Sequence, residues 1–288
     1  MTTGRDIKAA FQGERGAFSE EAARRILGRE VQVMPRHSFD EMFQAVVSGA
    51  ADCALAPIEN TLAGSVIRNY DLLLENDLTI VGEVVLRVVH NLIAPPGVAM
   101  ADVRRVYSHP VALAQCERFF GAHPQFEVVP AYDTAGSVKM IMESGKRDEA
   151  AIAGASAAEA YGAQILLAGI ESNAQNFTRF FLLVRPDRAS ELAPLTGGPE
   201  RKTSIVFRIG NRPGALYRSL AAFAQHGIDL TKIESRPIEG RPWEYSFYLD
   251  FIGDRTSPPV QQGLAHLAAH AENLRILGSY PRAEALTP

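Results

Sequence analysis

The 288-residue chain is expected to build a two-lobed α/β domain with parallel-rich sheets, followed by a smaller α+β domain of ferredoxin-like plan. Three observations predict this. Short apolar runs alternate with amphipathic helical stretches over the first two-thirds, the signature of strands joined through helices. A single long extended segment near 78–96 interrupts that rhythm. Finally, a stretch rich in Pro, Gly and charge precedes a closing βαββαβ order. A chain of this length also exceeds what one hydrophobic core ordinarily supports.

In order, residues 7–12 read as a strand, 13–16 as a tight turn, 19–27 as a helix and 31–34 as a strand. The next helix has the clearest pattern. Ser38 and Glu41 have capping-box spacing, Phe39, Met42, Phe43, Val46 and Val47 fall on one face, and Gly49 stops it. A strand at 53–56 and a helix at 65–74, with Ser65 as its cap, complete the pattern before the extended run of 78–89. Strand–helix pairs follow at 105–107 and 110–120, 126–129 and 134–142, and 150–153 and 156–161, with a strand at 182–184 last. The extended segment at 78–96 is expected to cross between lobes and the chain to return through 171–181. The expected divisions are a first domain at 1–186, a linker at 187–202 and a second domain at 203–288. In the last of these, strands at 203–209, 228–236, 243–251 and 274–280 bracket helices at 215–226 and 258–270.

Composition narrows the function. Hydrophobic residues make up 47% of the chain and charged residues 22%, and the net charge of −4 leaves no broad basic surface for nucleic acid. The most apolar stretch is broken by Glu83, Arg87, His90 and Asn91, so no bilayer-spanning helix is expected. The first eight residues lack the apolar core of a signal peptide, and Cys53 and Cys116 show no paired spacing. A cytoplasmic location is expected.

Ligands of parallel α/β lobes bind where strand ends, loops and helix starts converge. Polar residues collect in such loops: Asn60, Gly64 and Ser65; Ser108 and His109, with Gln115 beyond; Asp133, Thr134 and Ala135; and Asn173, Asn176, Thr178, Arg179 and Phe180. Singly, a Ser or Thr before a helix is usually a cap. Together they describe a pocket for a polar anion. His266 and His270 have a spacing that can hold zinc but read as surface histidines, and the Gly13–Gly16 turn lacks a dinucleotide pattern. No metal and no cofactor are expected.

Gly13-Glu-Arg-Gly16-Ala-Phe-Ser19-Glu, Pro57-Ile-Glu-Asn60, Gly64-Ser65-Val66, Ser108-His109-Pro110 and Thr178-Arg179-Phe180 resemble, in order and spacing, the motif series of prephenate dehydratases. Asn211-Arg-Pro213-Gly214-Ala215-Leu216 and Glu234-Ser235-Arg236-Pro237 resemble the two phenylalanine-site motifs of that family's ACT domain. Thr61 and Gly136 depart from the family's usual residues. The resemblance implies a fold like that of periplasmic binding proteins and decarboxylating dehydration of prephenate to phenylpyruvate, with Thr178 catalytic. It implies that Asn60, Gly64, Ser65, Ser108, His109, Gln115, Thr134, Ala135, Asn176, Arg179 and Phe180 bind substrate, with Arg179 either a positive partner on the pyruvyl side or a support behind the groups that touch substrate. It also implies phenylalanine as effector at Asn211, Pro213, Gly214, Ala215, Leu216, Glu234, Ser235, Arg236 and Pro237, in a homodimer or homotetramer. Arogenate as substrate, and a non-catalytic two-lobed ligand sensor, remain as alternatives.

Overall fold

The structure, a computed structural model, describes residues 7–192, 197–238 and 240–284. Part of the expected linker, 193–196, and both chain ends lie outside them. Two compact units are present, residues 7–77 with 84–182, and residues 78–83 with 183–284.

The first unit opens with β1 (Lys8–Gln12), α1 (Phe18–Leu27), β2 (Gln32–Arg36) and α2 (Phe39–Val47). It continues with β3 (Cys53–Asn60), the two-residue β4 (Gly64–Ser65), α3 (Ile67–Glu75) and β5 (Thr79–Arg87). Next come β6 (Asn91–Ala94), β7 (Arg105–Ser108), α4 (Pro110–Gln115), α5 (Glu117–Ala122) and β8 (Glu127–Pro130). It closes with α6 (Thr134–Ser144), β9 (Glu149–Ala153), α7 (Ala155–Tyr161), β10 (Gln164–Leu167) and β11 (Phe177–Val184).

One sheet has the order β2-β1-β3-β11-β5, with β4 on the side of β3, and the other β10-β6-β9-β7-β8. The chain leaves the first sheet after Arg87 and enters the second at Asn91, then returns between Leu167 and Phe177. Parallel pairing joins β1 to β2 and β3, and β7 to β8 and β9. The sheets are nevertheless mixed, because β6 runs antiparallel to both β9 and β10.

Strand β9 is buried throughout and shows how the second lobe is packed. Ala150 and Ile152 face the cluster of Leu113, Phe119 and Phe126, while Ala151 and Ala153 face that of Ala135, Val138 and Ile141. Side chains two apart share a sheet face, so a continuous apolar run is what covering on both faces requires. In α2 the Ser38 hydroxyl accepts the Glu41 N–H at 3.1 Å, whereas the Glu41 carboxylate accepts from His37 N rather than closing the box on Ser38. Ser65 does not cap α3: it lies in β4 opposite Glu59, and the cap position is Val66. The expected helix at 110–120 is two short helices meeting at Cys116.

The second unit contains β12 (Arg201–Ile209), α8 (Ala215–Ala224), β13 (Leu230–Ile238), β14 (Arg241–Ile252), α9 (Pro258–Ala268) and β15 (Glu272–Pro281). Its antiparallel sheet has the order β13-β14-β12-β15, the ferredoxin-like arrangement. Phe207, Phe223, Phe251 and Leu267 fill the space between sheet and helices. Residues 78–83 join this unit too. Lys202 Nζ lies 3.1 Å from both Glu83 carboxylate oxygens, and Ala283 N donates to one of them.

Candidate functional site

A cavity of about 580 Å³ opens in the first unit, lined by strand residues of the first sheet and by loop and helix residues of the second lobe. Asn60, Gly64, Ser65, His109, Gln115, Asp133, Thr134 and Thr178 line it, as do Phe18 of the first motif and residues that the sequence did not single out as ligands, among them His37, Asp40, Val88, His90 and Tyr132.

Thr178 reaches the cavity from within β11, not from a loop before it. Because alternate strand residues face opposite sides, Thr178 and Arg179 are directed apart. Thr178 meets Asn60 at the end of β3, and Arg179 meets Glu59, with Nε 2.6 Å from the carboxylate and the guanidinium over the Phe181 ring at 4.9 Å. Arg179 is buried and is not part of the cavity lining, and Phe180 lies in the core. Ser108 is likewise buried, donating to Ile152 O, and Ala135 packs in the second lobe's core. Thr61 ties the two strands together: its hydroxyl donates to Gln175 O and accepts from Phe177 N.

Three carboxamides form a closed ring beneath Thr178. Asn60 Nδ2 donates to Asn176 Oδ1 at 2.7 Å, Asn176 Nδ2 to Gln115 Oε1 at 2.9 Å, and Gln115 Nε2 to Asn60 Oδ1 at 3.3 Å. The same Asn60 oxygen accepts from Leu62 N and Ala63 N, which turns the Asn60 N–H groups toward Asn176 and Thr178. Asn60 Nδ2 then donates to Thr178 Oγ1 at 3.0 Å. A hydroxyl that accepts this bond keeps its own proton for another partner. Asn176 is fully buried and acts only through this ring.

His109 caps α4 through Nδ1, which accepts from Val111 N, and still lines the cavity. Asp133 caps α6, its carboxylate accepting from Gly136 N at 2.7 Å. Burial nonetheless holds the Asp133 carboxyl above the usual carboxylate range. Asp40 is exposed, and its hydrogen bond from Arg68 holds its carboxyl below that range. Among the described residues the lining includes no Lys or Arg. The N-terminal ends of α2 and α6 border the cavity through Phe39, Asp40 and Thr134, and helix starts of this kind favour negative charge. His37 and Tyr132 gave no periodic or motif signal, and His90 stood out only as a polar break in an apolar run.

In the second unit, Asn211 to Gly214 lead into α8, and Gly214 has φ +75°, a conformation that suits glycine. Glu234, Ser235, Arg236 and Pro237 lie on β13, at the edge of the sheet. A cavity of about 310 Å³ beside α8 is lined by Arg212, Ala215, Arg218 and His270, among others, but by no residue of 234–237. The two motifs thus do not share it. The His266 and His270 rings lie 5.6 Å apart, and among the described residues no group of three His, Cys, Asp or Glu is placed to hold a metal. No helix among them is long and apolar enough to cross a membrane.

Residues 9–188 match the family Prephenate dehydratase, and residues 203–262 match the ACT domain. "Arogenate dehydratase/prephenate dehydratase 2, chloroplastic" of Arabidopsis thaliana is 43% identical over 98% of this chain and 74% of its own length. A solved prephenate dehydratase in complex with L-Phe from Arthrobacter aurescens is 32% identical, with TM-score 0.86, covering 98% of this chain and 94% of its own. GqqA, described as a novel type of quorum quenching acylase, is 37% identical with TM-score 0.86, covering 96% of this chain and 98% of its own. With its two-sheet first unit, amide-bordered cavity and C-terminal ACT domain, the chain belongs to the prephenate dehydratase family, whose members are carbon–oxygen lyases of aromatic amino-acid biosynthesis regulated through an amino-acid effector.

Proposed function

We propose that the protein carries out decarboxylating dehydration of arogenate and of prephenate at the Thr178 cavity. The observation that carries this is the donor arrangement at Thr178, whose oxygen is occupied by Asn60 Nδ2 and whose proton is thereby available to the cavity. In this reaction the ring loses carbon dioxide and its 4-hydroxyl and becomes aromatic, which supplies the driving force. The difficulty lies with hydroxide, a poor leaving group that needs a hydrogen bond or proton as it departs. Thr178 is the group to give it.

The ring carboxylate must leave uncharged, so a cation held against it would stabilise the ground state. A lining without Lys or Arg avoids that penalty. Asp40 and Asp133 offer acceptors to an ammonium group, which arogenate has and prephenate lacks, so arogenate is the better match of the two. Acyl transfer, as named for GqqA, would require a base on the nucleophile. Thr178 meets an N–H donor instead, which favours proton donation over attack.

Phenylalanine is the proposed effector, held by the motifs at 211–216 and 234–237. Since these do not line one cavity within a chain, a second copy bringing its β13 edge to the first motif supports a homo-oligomeric site. The free, buried Cys53 and Cys116 suit a reducing, cytoplasmic compartment.

The test is turnover of arogenate to phenylalanine and of prephenate to phenylpyruvate, with and without added phenylalanine, beside Thr178→Ala. The variant should lose about a hundredfold or more in kcat, with KM changed by less than about threefold, as expected for a lost transition-state donor. Failure of the folded protein to turn over either compound would overturn the reading.

A further inference from the structure

We propose, resting on that dehydratase reading, that His90 is a positioning residue for Thr178, setting the direction in which the carboxamide ring runs. A ring of three amides can be hydrogen-bonded in either of two opposite senses, each amide donating to the next. In one sense Asn60 turns N–H toward Thr178. In the other it turns its oxygen there, and the threonine proton is drawn away from the cavity to that oxygen. Groups that touch the ring from outside therefore decide whether Thr178 can donate.

Two such anchors are present. Leu62 N and Ala63 N hold Asn60 Oδ1. The other is His90 Nε2, 2.8 Å from Gln115 Oε1. Gln115 is the member in need of an anchor, because its bond to Asn60, at 3.3 Å, is the longest of the three. The imidazole acts on it only as an Nε2–H donor. The opposite tautomer would offer a lone pair and favour the reversed Gln115 amide.

The surroundings of His90 select the donor tautomer. Its side chain is buried and Nδ1 has no hydrogen-bond partner among the described residues, so a proton on Nδ1 would lack an acceptor there. A proton on Nε2 has Gln115. Glu171 accepts the His90 backbone N–H, Ile170 N donates to the His90 carbonyl, and the Phe18 edge meets the ring at 6.0 Å. The backbone at His90 is thus held in place, and the ring itself is met by Gln115 and Phe18. Its position follows from the short link between β5 and β6, where the chain passes from one sheet to the other.

His90→Phe keeps the shape and removes the donor, and His90→Gln restores an N–H near the Nε2 position. Steady-state kinetics should show kcat reduced about tenfold to a hundredfold in His90→Phe, the scale of a misplaced catalytic group, with KM within about threefold. His90→Gln should recover most of it. Wild-type kcat in His90→Phe, or equal losses in both variants, would overturn the proposal. A second arm needs no substrate: imidazole ¹⁵N shifts of the unmodified protein at neutral pH should report a neutral ring protonated at Nε2. A ring protonated at Nδ1, or at both nitrogens, would overturn the proposal even if neither arogenate nor prephenate is turned over.

Discussion

At the scale of single residues, the site depends on which atom donates to which. Thr178 accepts from Asn60 Nδ2, and Asn60 is bonded in turn to the buried Asn176, which donates to Gln115. His90 is the titratable group nearest that ring, and burial depresses its pKa below the ordinary value, against the opposing pull of Gln115 and Glu171. The sign of its effect on stability follows. Above the unfolded histidine pKa of about 6.5, both states are neutral and the contribution is complete. As pH falls below it, the unfolded chain takes up a proton that the folded one resists, and stability is lost until the folded pKa is reached. Urea midpoints between pH 7.5 and 5.5 should therefore fall less steeply for His90→Phe than for the wild type. Equal slopes would show that His90 titrates normally. None of this was legible in the sequence, where His90 is one polar break in an apolar run. An alternative reading of Arg179 as a substrate cation was equally open, until its place opposite Glu59 on the far side of β11 removed it from the cavity.

At the scale of elements, local chemistry was the most readable layer. Apolar spacing located α2, and Ser38 capped it, because both signals act within one turn of chain. Ser65 had an equally good local claim to cap α3 but pairs with Glu59 in β4, since cross-strand hydrogen bonding outcompeted the cap. The Thr178 motif was placed in a loop for a similar reason: its polar residues hid a strand whose partners lie more than a hundred positions away. Gly136, which looked like a mere departure from the family pattern, has a steric cause. A Cβ there would lie 2.3 Å from the Tyr132 hydroxyl, which crosses the start of α6 beside the cavity. Gly136→Ala should push this exposed ring aside while altering stability by no more than about 0.5 kcal/mol. Its KM for the dehydratase substrates should rise by about tenfold, the scale of a methyl-sized change in a pocket. An unchanged KM would mean that Tyr132 does not shape the occupied site.

At the scale of the whole molecule, residues 78–83 belong with the ACT-containing unit although they precede it by a hundred positions. The buried Glu83–Lys202 pair holds them there, with Gly278 packed so closely that a Cβ would meet Ile80 Cβ at 2.8 Å. Removing one member of such a pair leaves a buried charge uncompensated, which costs about 3–5 kcal/mol, whereas replacing both is far milder. Lys202→Met should accordingly destabilise the protein by about that much in urea unfolding, and Glu83→Gln with Lys202→Met should recover much of the loss. Additive losses would show that the two side chains do not act as a pair.

The sequence by itself determined most of the succession of strands and helices, the ferredoxin-like order of the last third and the family motifs that hold Asn60 and Thr178. These depend on short-range periodicity and on residue types at set spacings. The tertiary structure alone decided the mixed pairing of the sheets, the inward face of β11, the closed amide ring and the retreat of Arg179, Ser108 and Ala135 from the cavity. Each of these depends on register between strands distant in the chain, and a shift of one residue would turn every side chain to the other face.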